Sequence, residues 1–308
     1  MSDTIVLCPG QGAQAVGMGH AWREQSPAAA ATFAEADAVL GDRFGASLSS
    51  LCFEGPAERL NETLVSQPAI FTCSVACARA LADGSSAPSY AAAAGLSLGE
   101  YTALHLAGVF DFADGLELVA TRGRLMQQAA DASQGGMVAV IGADEETATT
   151  LAADAAGDET LVPANFNAPG QIVLSGHRSA CGRAVALAGE RSLRATPLTV
   201  AGAFHSPLMQ PAADAMAEVL AATALRPPSL PVWSNVTAAP HDPKDLELLR
   251  RRLVEQIVRP VRWAQTCQAL EGGDTIKWIE LAPGAVLRGL MRRIDRSRKV
   301  ISHDQPPS

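Results

Sequence analysis

Short apolar runs alternate along the chain with longer stretches in which apolar residues recur at helical spacing. The runs Ile5–Cys8 and Ile276–Glu280 predict buried strands, and residues 112–130 carry their apolar side chains roughly in helical phase. Because strands alternate with helices, we expect an α/β fold with a mostly parallel sheet. Further elements are predicted as helices over 28–40, 67–81, 211–224 and 243–257 and as a short strand over Val232–Ser234.

The pattern changes near residue 135, where strands become more frequent. The order of elements from there to residue 200 is βαββαβ, which is typical of a ferredoxin-like fold. We therefore predict a small subdomain, residues 134–201, inserted into a large α/β catalytic domain made of residues 1–133 and 202–308. Its predicted strands are 137–142, 160–165, 171–176 and 194–200, and its predicted helices are 145–156 and 179–191.

The pentapeptide Gly95-Leu-Ser-Leu-Gly99 has the pattern of a nucleophile elbow, a tight turn between a strand and a helix. A helix is predicted directly after it, over residues 98–107. The preceding residues 90–94 are mostly alanine, which by propensity favours a helix. We interpret them as a buried strand, because small residues suit a crowded central position. Ser97 is then a candidate nucleophile that forms a covalent acyl intermediate.

An activated serine needs a base, and His205 is the best candidate among the six histidines. It lies in a loop directly after a predicted strand, where positioned catalytic groups are common. The alternative is a polar loop residue with no special role. No acid between Ser97 and His205 stands at an obvious strand end, so we favour a serine–histidine pair whose imidazole is oriented by backbone carbonyls.

Two further features could complete such a site. The backbone N–H of Leu98 and the glycine-rich loop at Gln11 could form an oxyanion hole, although an ordinary tight turn would explain the loop equally well. Arg122 lies on the helix that follows the elbow helix. If its side chain points inward, it offers a bidentate fork for a substrate carboxylate. If it extends to solvent, it has no such role.

Composition and charge limit the classes of function. The 308 residues are 48% hydrophobic and 18% charged, which is typical of a soluble globular protein, and the net charge of −8 argues against nucleic-acid binding. We predict no membrane span and no signal peptide. Six scattered cysteines without metal-ligand spacing predict reduced thiols in a cytoplasmic protein without a metal site.

Basic residues are concentrated in two segments, Arg250–Arg252 and Arg288–Lys299. Either these are solvated helix faces, or they form a docking surface for an acidic partner or a phosphorylated ligand. Both interpretations stay open on the sequence alone.

Many short motifs follow one another along the chain in the same order and at similar separations as in one known family. Over nearly its whole length the chain resembles the malonyl-CoA:acyl carrier protein transacylases. The resemblance implies transfer of malonyl from malonyl-CoA to the phosphopantetheine thiol of an acidic acyl carrier protein, in fatty-acid or polyketide synthesis, without a cofactor or metal. The matching segments are Pro9–Gln14, Gln67–Ala69, Gly95–Tyr101, Arg122–Gln127, Asn167–Gly176, Ala203–Pro207, Ser234–Ala238, Gln256–Trp263 and Glu280–Gly284.

The same resemblance implies a hydrolase-like large domain with a ferredoxin-like insert, and it implies roles for nine residues. These are Ser97 as nucleophile, His205 as base, Gln11 and Leu98 as donors of the oxyanion hole, Gln256 as the residue that orients His205 through its main-chain carbonyl, Arg122 as the clamp for the malonyl carboxylate, Phe204 as the residue that excludes a methyl branch, and Met126 and Asn167 as further substrate-binding residues.

One position departs from the family. Leu96 stands where the family usually has histidine, which removes one possible hydrogen bond near His205. Two other functions stay open, a serine hydrolase such as a thioesterase and a docking module with weakened catalysis.

Overall fold

The computed structural model describes residues 4–84, 87–270 and 275–307, so the predicted domain ends at residues 1 and 308 lie outside the described residues. Within the described ranges the strands form two separate four-stranded sheets. The strands are β1 (Thr4–Cys8), β2 (Tyr90–Gly95), β3 (Gly135–Ile141), β4 (Leu161–Ala168), β5 (Gln171–His177), β6 (Arg194–Pro197), β7 (Lys277–Leu281) and β8 (Val300–His303).

Helices surround both sheets. In chain order they are α1 (His20–Gln25), α2 (Pro27–Leu40), α3 (Leu48–Phe53), α4 (Ala57–Leu60), α5 (Thr63–Asp83), α6 (Gly99–Leu106), α7 (Phe112–Ala132), α8 (Glu145–Ala156), α9 (Arg178–Glu190), α10 (Gln210–Ala222), α11 (Leu246–Val258), α12 (Trp263–Ala269) and α13 (Val286–Ile294), with a short 3-10 turn at Pro207–Met209.

One sheet is parallel, in the order β2-β1-β7-β8. Its apolar strand β1 is buried along its whole length between two neighbours. The alanine-rich segment is a strand as predicted, with Ala93 and Ala94 fully buried beside β1. Small residues are needed there because α6 follows directly and packs on β1 and β2. The predicted α/β class is confirmed.

The other sheet is antiparallel, in the order β4-β5-β3-β6. This order, with α8 and α9 as the connecting helices, is that of the predicted ferredoxin-like βαββαβ unit. Its own core is formed where α8 and α9 pack against the sheet, around Val138, Leu151 and Leu174. The domain boundaries at residues 134 and 202 stay predictions.

Some elements differ from the sequence prediction. Val232 forms only a single bridge to Ala93, so the predicted strand at Val232–Ser234 is not a strand. Strand β8 was not predicted, because it is a short edge strand whose Ile301 is 55% exposed and whose pattern is half polar. Helices α1, α3, α4 and α12 have 4 to 7 residues, too few to show a helical period. Helix α13 was not among the predicted elements, although Leu287, Leu290 and Met291 recur at helical spacing between its arginines.

Helix α5 is long and apolar enough, by length and composition alone, to cross a membrane. The sequence prediction of no such segment therefore overlooked it. However, 78% of its most apolar window is buried inside the protein, where it packs against α2 and α7. These contacts are those of a core helix.

A substitution at Gly99 tests how tightly the connection between β2 and α6 is packed. A Cβ on Gly99 would lie 2.1 Å from the main-chain oxygen of Cys8, a backbone atom that cannot move aside. We expect Gly99→Ala to lower the free energy of unfolding by about 2 kcal/mol or more. In the control, Gly182→Ala in α9, the new methyl group meets nothing within 4 Å, so stability should rise slightly. Equal urea midpoints for both variants would contradict this packing.

Candidate active site

Ser97 lies in the turn between β2 and α6. Its φ of 52° is in the left-handed region, a conformation that a non-glycine residue adopts only where its surroundings enforce it. Those surroundings are visible: the Ser97 N–H donates to Asn235 Oδ1 at 2.6 Å, and Asn235 Nδ2 donates to the Gly95 carbonyl at 2.7 Å. Asn235 therefore holds the backbone on both sides of the strained residue.

His205 faces Ser97 across the site. Its Nε2 lies 2.9 Å from Ser97 Oγ, and its Nδ1 lies 2.7 Å from the main-chain oxygen of Gln256. Because a carbonyl oxygen can only accept, Nδ1 carries the proton and Nε2 is free to take one from the serine. Two effects lower the pKa of His205 from 6.5 to about 4: mainly its burial, and to a smaller extent the positive charge of Arg122. The imidazole is therefore neutral, as a base must be.

Arg122 points inward from α7 and is 1% exposed. One terminal nitrogen donates to Gln67 Oε1 at 2.7 Å, and the other donates to Ser97 Oγ at 3.1 Å and to Gln256 Oε1 at 3.0 Å. Among the described residues no carboxylate forms an ion pair with this guanidinium, so every group in contact with it is neutral. A buried cation with neutral partners is suited to receive an anionic ligand.

Two backbone amides beside Ser97 are available as donors. Across the described ranges, neither the Leu98 N–H nor the Gln11 N–H donates to a protein acceptor, and both residues line the same cleft as Ser97. The Ser97 N–H itself is occupied by Asn235. Leu98 and Gln11 are thus the pair that could stabilise an oxyanion.

The cleft has a volume of about 690 Å³, and its lining includes residues of the antiparallel sheet, such as Met137 and Val173, as well as Ser97 and Arg122. Gln256 sits behind Ser97 and His205 and is fully buried. Leu96, the residue that departs from the family, is part of the wall. The structure brings the other predicted site residues together on this cleft: Gln11, Ser97, Leu98, Arg122, Met126, Asn167, Phe204 and His205.

The sequence interpretation missed four polar residues that support the site, which are Gln67, Glu100, Asn235 and His241. Gln67 receives a bond from Arg122, and Glu100 accepts from Gln256 Nε2 at 2.6 Å and pairs with His241. Gln67, Glu100 and Asn235 lie inside motifs on which the family resemblance rests. Their membership in these motifs was the signal by which the sequence could have identified them. Nothing local to the sequence indicated His241.

The two basic segments differ in the structure. Arg250 donates to the carbonyls of Leu220 and Thr223 and pairs with Glu247, and Arg252 pairs with Glu255, so much of that segment is committed to internal contacts. On and after α13, by contrast, five basic residues are exposed while Val286 and Leu290 of the same helix line the cleft. The five are Arg288, Arg292, Arg293, Arg296 and Lys299.

Comparisons with known proteins point to one family. The family described as "Acyl transferase domain" matches residues 5–303. The malonyl CoA-acyl carrier protein transacylase of Bacillus subtilis is 40% identical, with 99% of this chain and 95% of the relative covered. The crystal structure of malonyl-CoA:acyl carrier protein transacylase from Xanthomonas oryzae superposes with a TM-score of 0.92 at 42% identity, covering 99% and 96% of the two chains.

A second similar structure shows a type II polyketide acyl-carrier protein in complex with its malonyl-transacylase. It has a TM-score of 0.92 and 37% identity, and covers 99% of this chain and 97% of that chain. Sequence and structure are matched along almost the full length in every case. The chain therefore belongs to the acyl transferase family and, within it, to the malonyl-CoA:acyl carrier protein transacylases.

Proposed function

We propose that this enzyme moves a malonyl group from malonyl-CoA to the phosphopantetheine thiol of an acyl carrier protein, through an ester on Ser97. The observation that carries the proposal is the Arg122 guanidinium, buried with neutral partners only and 3.1 Å from Ser97 Oγ. The malonyl carboxylate stands one methylene beyond the reacting carbonyl, so a cation within reach of Oγ can hold it during attack.

In the first half-reaction, Ser97 Oγ attacks the thioester carbonyl while His205 Nε2 takes the hydroxyl proton. The negative charge that develops on the carbonyl oxygen is stabilised by the amides of Leu98 and Gln11. The carbon–sulfur bond then breaks, His205 returns the proton to the departing sulfur, and coenzyme A leaves as a thiol. In the second half-reaction the carrier thiol attacks the ester, and the same groups act in reverse order.

Substrate selection follows from the groups around the nucleophile. Arg122 binds the carboxylate that distinguishes malonyl from acetyl, and Phe204 limits the room for a branch on the methylene carbon. Met126 and Asn167 also line the cleft. No step needs a metal or redox cofactor, because an activated hydroxyl and two amides suffice for acyl transfer.

We place the enzyme in the cytoplasm. All six cysteines are free and buried. Free thiols persist in a reducing compartment, which supports this location.

We further propose that the carrier protein docks on the exposed basic residues of α13. The helix lies at the cleft through Val286 and Leu290, so a partner bound there can reach Ser97 with a flexible arm. Carrier proteins of this family are acidic, and charge complementarity favours their approach. The Arg250–Arg252 segment is the weaker candidate, because its outer two arginines are paired internally.

The nucleophile is tested by intact mass after incubation with malonyl-, methylmalonyl- and acetyl-CoA. The wild type should accumulate a malonyl adduct and less methylmalonyl adduct, and Ser97→Ala should accumulate none. The exposed Ser179→Ala is the control and should label like the wild type. An undiminished adduct in Ser97→Ala would exclude this nucleophile. Decay of the adduct in water as fast as with carrier thiol would instead indicate a thioesterase.

The clamp is tested by Arg122→Gln. Loss of a desolvated, charged contact of about 2–4 kcal/mol should lower kcat/KM for malonyl-CoA by about 30- to 1000-fold, and that for acetyl-CoA by far less. Arg124→Gln, an exposed position on the same helix, should change neither. Equal losses with both substrates would mean that Arg122 has a purely structural role.

The low pKa of His205 predicts the pH profile. Only the neutral imidazole accepts the serine proton, so acyl-enzyme formation should stay constant as pH falls through 6.5 and be lost only near about 4. Since Arg122 contributes to this lowering, Arg122→Gln should move the acid limb to higher pH when measured with acetyl-CoA. An acid limb centred at 6.5 in the wild type would contradict the buried, neutral base.

Docking is tested by the double substitution Arg292→Glu and Arg293→Glu. The KM for the carrier protein should rise and lose its dependence on salt, while the KM for malonyl-CoA stays the same, because only protein–protein steering is changed. Arg251→Glu probes the other basic segment in parallel. A carrier KM unaffected by the α13 substitutions would refute docking on this helix.

A further inference from the structure

Glu100 is a buried acid that the mechanism above does not use. It lies in α6, three residues after the nucleophile, and is completely inaccessible to solvent. Its Oε2 accepts from Gln256 Nε2 at 2.6 Å and from the Asn235 N–H at 3.1 Å, and its Oε1 lies 2.8 Å from His241 Nε2. A carboxylate buried this deeply is costly unless every oxygen is satisfied, and here both are.

The contact with Gln256 decides which way that side chain faces. An amide has one acceptor and one donor end, and an ionised carboxylate only accepts. Glu100 therefore attracts the NH₂ end of Gln256, which also donates to the Ser97 carbonyl at 2.9 Å. As a result the oxygen of Gln256 is turned toward Arg122, which donates to it at 3.0 Å.

The opposite amide orientation would disrupt the clamp. With its NH₂ end against Arg122, Gln256 would place a donor against a donor and remove one of the acceptors that fix the guanidinium. The main-chain oxygen of Gln256 meanwhile holds His205 and does not depend on the side-chain orientation. The side chain of Gln256 thus positions Arg122, and its main-chain oxygen positions His205.

We propose that Glu100 is a positioning residue for the substrate carboxylate: by fixing the orientation of the Gln256 amide, it holds the Arg122 guanidinium in the place where malonyl is bound. This inference rests on the proposed function. His241 completes the arrangement from the far side of Glu100. The His241 side chain is 2% exposed, so this contact is shielded from solvent as well.

A purely structural role is the competing explanation. Glu100 also binds the Asn235 N–H, and the side chain of Asn235 holds the elbow through Ser97 and Gly95. Loss of that support would impair Ser97 with every substrate. Loss of the Gln256 orientation would impair malonyl alone. The ratio of malonyl to acetyl transfer therefore separates the two roles.

The experiment compares the wild type with Glu100→Gln, measuring kcat and KM for malonyl-CoA and acetyl-CoA. Glutamine has the shape of glutamate but only one acceptor, so Gln256 can turn its oxygen toward the new NH₂ group and its own NH₂ group toward Arg122. We expect the malonyl-to-acetyl ratio of kcat/KM to fall by about tenfold or more, mainly through the malonyl KM. The acetyl kcat should stay within about threefold of the wild type.

Two further variants make the result specific. In a Gln256→Met background, Glu100→Gln should cause no further loss of the malonyl preference, because the group through which it acts is gone. The control for removing a buried acid is Glu280→Gln. Glu280 is equally inaccessible but accepts from the amides of Leu287 and Arg288, so its substitution should lower stability and leave the ratio unchanged. If Glu100→Gln does not fold, Glu100→Asp replaces it with the same expected direction.

An unchanged malonyl-to-acetyl ratio in folded Glu100→Gln would overturn the inference. So would an equal loss with both substrates, or a ratio that still falls in the Gln256→Met background. A wild type that forms no malonyl ester on Ser97 would instead refute the proposed function, and mass analysis of the wild type distinguishes that failure from failure of the inference.

Discussion

A buried positive charge that contacts no negative partner among the residues the structure describes is the constraint around which this site is organised. Removing a guanidinium from water is unfavourable, and Arg122 is compensated by the oxygens of Gln67, Ser97 and Gln256 and by the ring of Tyr101, whose centroid is 5.4 Å from the guanidinium carbon. Neutral dipoles offset only part of that cost. Under the proposed function, a substrate carboxylate would offset the remainder of that cost, and this gain would favour binding of a dicarboxylic thioester over one without the carboxylate.

The rest of the fold fixes the position of the nucleophile Ser97 and of the base His205 relative to the Arg122 guanidinium. A strand of small residues lets α6 approach β1 and β2, and this approach sets the tight turn that carries Ser97. Residues far away in sequence then fix the turn and the base: Asn235 holds the backbone of Ser97, and the Gln256 carbonyl holds the ring of His205. An amide carbonyl takes the place of the usual acid, so within the described residues the imidazole contacts no anion that would offset the effect of its burial, and its pKa stays low.

The sequence was informative where chemistry and geometry are local. The elbow and the loop of His205 could be recognised from short motifs, and the βαββαβ order gave the ferredoxin-like unit. Local patterns could not decide whether Arg122 points inward, since an arginine beside an apolar face satisfies the same periodicity in either direction. They also missed His241 and the edge strand β8, whose positions depend on contacts made across the whole chain. For the basic run at Arg250 the sequence left a solvated helix face and a docking surface both open, and in the structure its first member donates to the carbonyls of Leu220 and Thr223 at the end of α10.

The most direct test of the central claim is a crystal structure of the enzyme soaked with malonyl-CoA, in which the ester on Ser97 is trapped. The account predicts the malonyl carboxylate on the Arg122 guanidinium at hydrogen-bond distance, with the ester carbonyl oxygen between the amides of Leu98 and Gln11. A carboxylate directed to solvent, with Arg122 still bound only to Gln67 and Gln256, would contradict it.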